Sequence, residues 1–194
     1  MSNQVETLIE YQLENRDKKT VFWRGILVFP AISFLSAFTQ LPHWGWSSIF
    51  LVVPVLLAVL FRGKYPSYIL DFNHALIELQ TRVTAYLFLL TDDYPSIERN
   101  PKVAVLLPDV EGGAKLGRVL QLFKIIFVIP LLIVGTVYAI GALLVTFAAW
   151  LATSTSGRYP DWALNYVLGT IQFWNRLYGY ALLMVTDEYP RFTL

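Results

Sequence analysis

Paired carboxylates at two places are the residues of this chain best suited to chemistry. Asp92-Asp93 and Asp187-Glu188 each follow a threonine and precede a Tyr-Pro step. Adjacent acids can bind a cation or serve as an acid–base pair. Each pair also ends a long apolar segment with helical periodicity, where the negative end of the helix dipole favours a cationic partner. We therefore interpret all four acids as structural ion-pairing residues and expect no catalytic residue among them.

Two basic turns of similar sequence are the nearest candidate partners for these acids. The first contains Arg62, Lys64 and Tyr65, the second contains Arg158 and Tyr159, and both end in proline. We expect the acids to pair with these turns. The same five residues are our candidate contacts for an anionic lipid headgroup or for a partner protein.

The remaining reactive residue types do not form a recognisable site. His43 lies in an expected turn and His74 on an expected polar helix face, on opposite sides of a membrane under the topology below, so they cannot share a metal. Cysteine is absent. The stretch 111–115 is glycine-rich but lacks the spacing of a phosphate-binding loop. The sequence thus indicates no cofactor, no metal and no enzymatic activity.

Composition places the chain among membrane proteins. Its 194 residues are 56% hydrophobic and 15% charged, and the mean hydropathy is +0.51. A soluble domain has about 25% charged residues. A net charge of +1 provides no global field that would recruit nucleic acid.

The apolar segments predict two transmembrane helical hairpins. The first spans 21–61, with a Pro- and Gly-containing turn at 41–46. The second spans 119–152; because one helix of that length would overshoot the bilayer, we expect a reversal at 135–141. Each arm of the first hairpin gives about 25 Å of helix, slightly less than a hydrocarbon core of about 30 Å.

An amphipathic helix is expected after each hairpin, at 67–91 and at 160–186. Their apolar residues step by three and four, with polar residues opposite, as in helices that lie at a membrane interface. Short segments at 6–13 and 102–108 have strand character and precede the two hairpins; paired, they would form a small surface sheet. The predicted fold is therefore an all-α integral membrane protein with a short surface strand before each hairpin.

The same order of motifs occurs twice, which predicts an internal duplication. An aromatic-basic-apolar run ending in proline, a Gly-basic-Tyr-Pro turn and a Thr-Asp-acid-Tyr-Pro end recur at offsets near one hundred residues. The corresponding segments are 23–30 with 123–130, 63–66 with 157–160, and 91–95 with 186–190. We assign residues 1–100 to the first pseudo-repeat and 101–194 to the second.

Taken together, these motifs resemble a bacterial membrane family known only as a domain of unknown function (number 4389). Residues 157–160, Tyr180 and residues 186–190 carry the resemblance best. It covers most of 102–194 and, more loosely, 5–100. The resemblance implies a small integral membrane protein of unknown activity and supplies no catalytic residues.

The distribution of charge predicts the orientation. All 15 basic residues lie outside the expected hairpin tips, so the positive-inside rule places both termini and the middle segment in the cytoplasm. We expect a multi-pass protein of the bacterial cytoplasmic membrane. A hairpin that dips into the bilayer without crossing would give the same charge pattern, but we favour full crossing because a turn exposed to lipid leaves backbone groups unsatisfied.

These features favour a non-enzymatic accessory or scaffold subunit of a larger membrane complex. The expected partners are membrane lipids together with other membrane subunits or a second copy of the chain, and no nucleic acid. The alternative is a lipid-binding or lipid-handling protein that uses its basic turns and amphipathic helices. A membrane enzyme that uses the paired acids on a lipid is the third hypothesis.

Overall fold

A computed structural model describes residues 3–38, 51–98 and 100–194. These residues form a mostly helical protein with a small two-stranded sheet. A π-helical turn, Ala58–Arg62, continues the third helix, and a short 3-10 turn, Glu111–Gly113, precedes the fifth. The main elements are β1 (Glu6–Ile9), α1 (Lys18–Leu27), α2 (Phe29–Ala37), α3 (Val52–Leu57), α4 (Ser67–Leu87), β2 (Val103–Leu106), α5 (Leu120–Ser156) and α6 (Asp161–Ala181).

The elements form three layers. α5 is one outer element, and α1, α2 and α3 follow one another as a second outer row, here called the first row. α6 packs along α5, and α4 packs along the first row. β1 and β2 lie on the other side of this middle layer, where β1 contacts α6 and β2 contacts α4. α4 and α6 therefore have one side toward an apolar outer helix and the other toward the sheet.

The predicted second hairpin is wrong. α5 is one continuous helix of 37 residues, about 55 Å long, with no reversal at 135–141. Gly135 and Gly141 provide close packing instead: a Cβ on Gly135 would lie 2.9 Å from the Phe173 ring, and Gly141 faces Tyr166. These glycines let the α6 aromatic residues approach the helix backbone, so no turn is required there.

The described parts of the predicted first hairpin do not run side by side either. Arg24 lies beside Tyr86 near the end of α4, whereas Phe38 lies beside Phe72 near its start. Val55 and Val59, in and just after α3, pack still closer to the start of α4, in one cluster with Ile69 and Tyr65. The row thus runs along α4 in a single direction, because each part packs on its own portion of one apolar helix face. The predicted turn at 41–46 lies outside the described residues.

α4 and α6 begin close to the predicted starts of the amphipathic helices and end before the predicted ends. The chain leaves each helix through a left-handed residue, Leu89 with φ 67° and Met184 with φ 55°. Non-glycine residues rarely adopt this conformation. Burial of both side chains in the core holds them there, with 1% exposed for Leu89 and 2% for Met184.

The prediction of two short pairing strands is confirmed. β1 and β2 are antiparallel, with Glu6 opposite Leu106 and Ile9 opposite Val103. Alternate residues of each strand are buried and contact the middle layer. The fold is therefore not purely helical.

Two helical segments are long and apolar enough to cross a membrane. They are Lys18–Ala37, which consists of α1 and α2, and α5, with mean hydropathies of 1.5 and 2.5. In the apolar 18-residue stretch of each segment, only about a fifth of the residues are buried within the protein, 22% and 17% respectively. The core helix of a soluble protein is mostly buried, so these two helices differ from one.

Replacing Gly135 with leucine tests the packing role of this glycine. Because its Cβ position is blocked by the Phe173 and Trp174 rings, we expect Gly135→Leu to lower the unfolding free energy by about 1–3 kcal/mol. The matched control is Gly25→Leu in α1, where a Cβ meets nothing within 4 Å. Thermal unfolding in detergent should show a loss for the first variant only. Equal midpoints would contradict a packing role.

Candidate functional site

The first of two buried ion-pair sites joins the start of the first row to the turn after α4. Arg24 is only 2% exposed; its guanidinium pairs with the Asp92 carboxylate, donates to the Tyr86 carbonyl (2.9 Å), and lies 4.3 Å from the centre of the Tyr86 ring. Arg16 donates to the same Asp92 oxygen at 2.6 Å. The second carboxylate oxygen accepts from the backbone N–H of Asp17 at 3.0 Å. We call this set the first anchor.

The second anchor occupies the same place on α5. Lys124, with 1% of its side chain exposed, lies 2.8 Å from the Asp187 carboxylate and 4.9 Å from the centre of the Tyr180 ring. Its ammonium also donates to the Thr186 carbonyl at 2.7 Å. The Gly117 backbone N–H donates to the other oxygen of Asp187 at 2.6 Å, and Gln121 donates to the first at 2.8 Å.

Both aspartates are held in their ionised form. Partial burial alone would raise the pKa of Asp92, but hydrogen bonds from Arg16 and the Asp17 N–H, with the charges of Arg16 and Arg24, outweigh it and lower the pKa below its usual value. The pKa of Asp187 is lowered in the same way, against burial, by Gly117, Lys124 and Gln121. An acid–base role would require a carboxyl group that changes protonation near neutral pH, which is the opposite arrangement.

The other two predicted ion-pairing acids have different environments. Asp93 pairs with Lys102 at 2.6 Å on the surface, where both side chains are nearly half exposed. Glu188 accepts hydrogen bonds from the Gln4 side chain (2.9 Å) and from the Asn3 backbone (3.1 Å). These contacts join the two ends of the chain.

The expected pairing of these acids with the basic turns is wrong. The buried aspartates pair with cations at the starts of the outer helices, because the middle helices run back to those starts. Arg158 lies near Glu14 and Asp161 instead. Arg62 and Lys64 are exposed at the opposite end of the first row from Arg24.

Burial corrects the expectation that Tyr65 and Tyr159 contact a headgroup or a partner. Both are buried, and burial raises both pKa values, that of Tyr159 to about 12. The Tyr65 hydroxyl donates to the Leu183 carbonyl at 2.6 Å, and that of Tyr159 to the Phe88 carbonyl at 3.4 Å. Each tyrosine thus holds the turn that follows a middle helix in the other half of the chain.

The remaining polar features are small. The His74 ring lies 2.7 Å from the Val105 carbonyl, which ties α4 to β2, and His43 lies outside the described residues. A cavity of about 180 Å³ between α4 and α6 is lined by side chains that include Gln80, Thr84 and Trp174. It is smaller than the ~300–1,000 Å³ typical of ligand pockets.

An apolar stripe runs along the outer face of α5. Its side chains recur every three or four residues, face away from Lys124, and are each 45% or more exposed. The stripe consists of Leu122, Ile126, Ile129, Ile133, Val137, Ile140, Leu144, Phe147 and Leu151. The first row carries a similar exposed set, which includes Phe22, Ile26, Phe29, Val53, Leu57 and Phe61. Monomeric soluble proteins rarely expose apolar patches beyond a few hundred Å².

Sequence reasoning missed every observed partner of the two aspartates. These partners are the side chains of Arg16, Arg24, Lys124 and Gln121 and the backbone N–H groups of Asp17 and Gly117. One signal was available: Arg24 and Lys124 are the only charges inside the apolar runs, and a charge on an apolar helix requires a buried partner. The backbone donors carry no such signal.

Comparison with known families gives a match in the second half of the chain. Residues 119–193 match a family described as a domain of unknown function (DUF4389). The matched part contains α5, α6 and the second anchor apart from Gly117, and it supports the resemblance stated from the motifs. No curated protein and no solved structure matches the chain.

Removing one partner of the second anchor should destabilise the protein strongly. Asp187→Asn leaves the buried Lys124 ammonium without its counter-charge, which costs about 3–5 kcal/mol. Lys124→Met leaves the part-exposed Asp187 carboxylate without its cation but with its Gly117 and Gln121 donors, so its loss should be smaller. The matched controls, Lys102→Met and Asp93→Asn, break a surface pair that solvent screens, so they should change the unfolding free energy little. Chemical unfolding in detergent measures both, and a Lys124→Met loss no larger than that of Lys102→Met would count against the anchor.

Proposed function

We propose that this protein is a non-enzymatic accessory or scaffold subunit of a larger membrane complex. The apolar stripe carries the proposal: it runs almost the whole length of α5 and has no partner within the described residues. Insertion of such a surface into lipid, or into a groove between lipid and another subunit, removes it from water. The free energy gained is about 25 cal/mol for each Å² of apolar surface buried. The anchors support the proposal because Asp92 and Asp187 are engaged in holding helices together.

We place the protein in the bacterial cytoplasmic membrane with both termini in the cytoplasm. The hydrogen bonds between Asn3, Gln4 and Glu188 support this placement, since they hold the two ends of the chain together on one side of the molecule. We do not propose four crossings, because the helices expected to form the hairpins follow other paths.

We also propose that the chain is an internal duplication. Each anchor contains a cation over a tyrosine ring, and that ring meets a second tyrosine edge to face, Tyr86 with Tyr94 at 5.8 Å and Tyr180 with Tyr189 at 5.7 Å. Each half of the chain also contributes one strand to the sheet, since β1 pairs antiparallel with β2, with Thr7 opposite Val105 and Leu8 opposite Ala104.

Contacts exchanged between the halves support the same proposal. The Tyr65 N–H donates to the Gly112 carbonyl at 2.8 Å, and the Tyr159 N–H to the Leu13 carbonyl at 2.7 Å. Near the centre, Asn175 donates to the Thr81 hydroxyl at 2.9 Å. Contacts of this kind are expected when two copies related by a two-fold axis are joined into one chain.

Lipid binding is the second candidate, favoured by the exposed Arg62, Lys64 and Arg158 at the helix ends. Basic side chains beside an inserted apolar face attract anionic lipid, with about 1 kcal/mol for each. The small cavity between α4 and α6 offers too little room for an acyl chain to be carried, so we rank lipid handling second.

Acidic substitutions in the apolar stripe test membrane attachment. The combined change Ile126→Asp, Ile133→Asp and Leu144→Asp should release the protein from membranes, because each aspartate costs up to about 3.5 kcal/mol at hydrocarbon depth. The control is Leu8→Asp with Leu106→Asp, two exposed sheet positions on the opposite layer. The measurement is the fraction retained after an alkaline wash of membranes. Equal retention of both variants would sink the proposal.

Purification from the native host in gentle detergent tests the accessory role. We expect a different membrane protein at fixed stoichiometry, detected by mass spectrometry of the intact assembly. The control is the triple variant Ile126→Asp, Ile133→Asp and Leu144→Asp, purified in the same detergent. Loss of the partner from this variant would show that the apolar stripe contributes to the contact with that partner. A lone protein or homo-oligomer that retains one lipid class would instead favour lipid handling.

A further inference from the structure

We infer that both outer helix rows lie in the plane of the membrane, embedded in one leaflet, and that no described helix crosses the bilayer. This inference deepens the proposed membrane function and depends on it. The partner is a lipid monolayer with anionic headgroups. Five observations carry the inference: the length of the apolar stripe, its direction, the position of the sheet, the antiparallel pairing of the rows, and the charges at their ends.

The apolar stripe is too long for a crossing helix. From Leu122 to Leu151 it extends about 44 Å, whereas the hydrocarbon core is about 30 Å thick. A crossing α5 would have to tilt by about 47°, outside the observed range of about 0–40°, to keep the whole stripe in lipid. A helix that lies in the plane covers every residue of the stripe at one depth.

The stripe faces away from the polar side of the protein. The opposite side of α5 packs on α6 through buried Leu131, Phe173 and Leu177. α6 in turn meets the sheet through Asn175, which donates to the Thr7 hydroxyl at 3.0 Å. Across the molecule, from one surface to the other, the order is therefore apolar stripe, α6, then sheet. A protein with one face in a membrane and the other in water has this order.

The sheet lies level with the middle of α5, which makes a crossing unfavourable. Tyr138, at the centre of α5, contacts Phe173 with ring centres 5.3 Å apart. The neighbouring Gln172 of α6 donates to the Thr7 carbonyl in β1 at 3.4 Å. A crossing α5 would thus place β1, with its exposed Glu6, near the bilayer centre. Open strand edges and exposed charge do not occur at that depth.

The two rows lie side by side and antiparallel, so their exposed apolar faces form one continuous surface, here called the apolar surface. At one end the Trp150 indole N–H donates to the Val21 carbonyl at 3.1 Å, and the Lys18 ammonium donates to the Thr155 carbonyl at 2.5 Å. At the other end the Arg118 side chain lies against Gly63. The start of each row therefore adjoins the end of the other.

Basic side chains flank this apolar surface at both ends. Lys18 and Arg158 lie at one end, and at the other a larger set is exposed, which consists of Arg62, Lys64, Lys115 and Arg118. Side chains of this length reach the headgroup level from a helix buried at the acyl boundary. In a crossing orientation the two ends of α5 would need to lie on opposite sides of the membrane.

Depth measurement by spin labelling tests the inference, and the chain has no native cysteine to interfere. The variants are Leu122→Cys, Val137→Cys and Leu151→Cys, reconstituted as the full chain in vesicles of phosphatidylcholine and phosphatidylglycerol. Collisions with oxygen and with a water-soluble nickel chelate give the depth of each label. We expect all three labels at one depth within a single leaflet. The control is Leu8→Cys on β1, which should be in water.

The outcomes separate this inference from the proposed function. A label at Val137 far deeper than those at Leu122 and Leu151 would overturn the in-plane arrangement and leave membrane attachment intact. Labels as accessible to the nickel chelate as the control would overturn both.

A second measurement avoids changes to the apolar stripe. Lys115→Cys and Arg158→Cys lie near opposite ends of α5 on exposed side chains. An impermeant maleimide applied to sealed inside-out and right-side-out vesicles should label both from the same side, with a labelling ratio near one. Labelling from opposite sides would show a crossing helix and overturn the inference.

Discussion

A single cation buried at the start of each outer row fixes the arrangement of the rest. A charge on an apolar helix cannot face lipid and must find a partner inside the protein. Arg24 and Lys124 therefore set the rotation of their helices, since each must point toward Asp92 or Asp187. Each aspartate follows a middle helix, so that helix has to run back antiparallel along its outer row. The tyrosine ring that each cation contacts lies on the same middle helix, so this contact favours the same rotation of the outer helix.

Fixing the rotation also decides what is exposed. With Lys124 turned inward, the nine residues of the apolar stripe turn outward along the whole of α5. The middle helices then separate this apolar side from the sheet, because their other faces carry the polar groups that bind β1 and β2. The result is a molecule with one apolar side and one polar side, the division that a membrane surface stabilises.

The two halves are joined by reciprocal contacts rather than placed side by side. Tyr65 and Tyr159 each bind a backbone carbonyl in the turn of the other half, and β1 of the first half pairs with β2 of the second. Each turn in question contains a strained left-handed residue, Leu89 or Met184, that burial holds in place. An isolated hairpin of strands is marginally stable, so the sheet depends on the helices beneath it. Two of the buried apolar clusters contain residues of both halves.

The sequence by itself determined the membrane-like composition, the starts of α4 and α6, the two pairing strands and the interpretation of Asp92 and Asp187 as ion-pairing groups. Periodicity and composition are local properties, so the chain displays them directly. Only the tertiary structure decided whether Gly135 and Gly141 make a turn or a packing surface, because the answer depends on Phe173 and Tyr166 in another helix. It also decided that Arg16, Arg24 and Lys124 pair with the aspartates, since those contacts join residues 60 or more positions apart. Local sequence cannot specify which distant residue a helix meets; the packing of helix faces does.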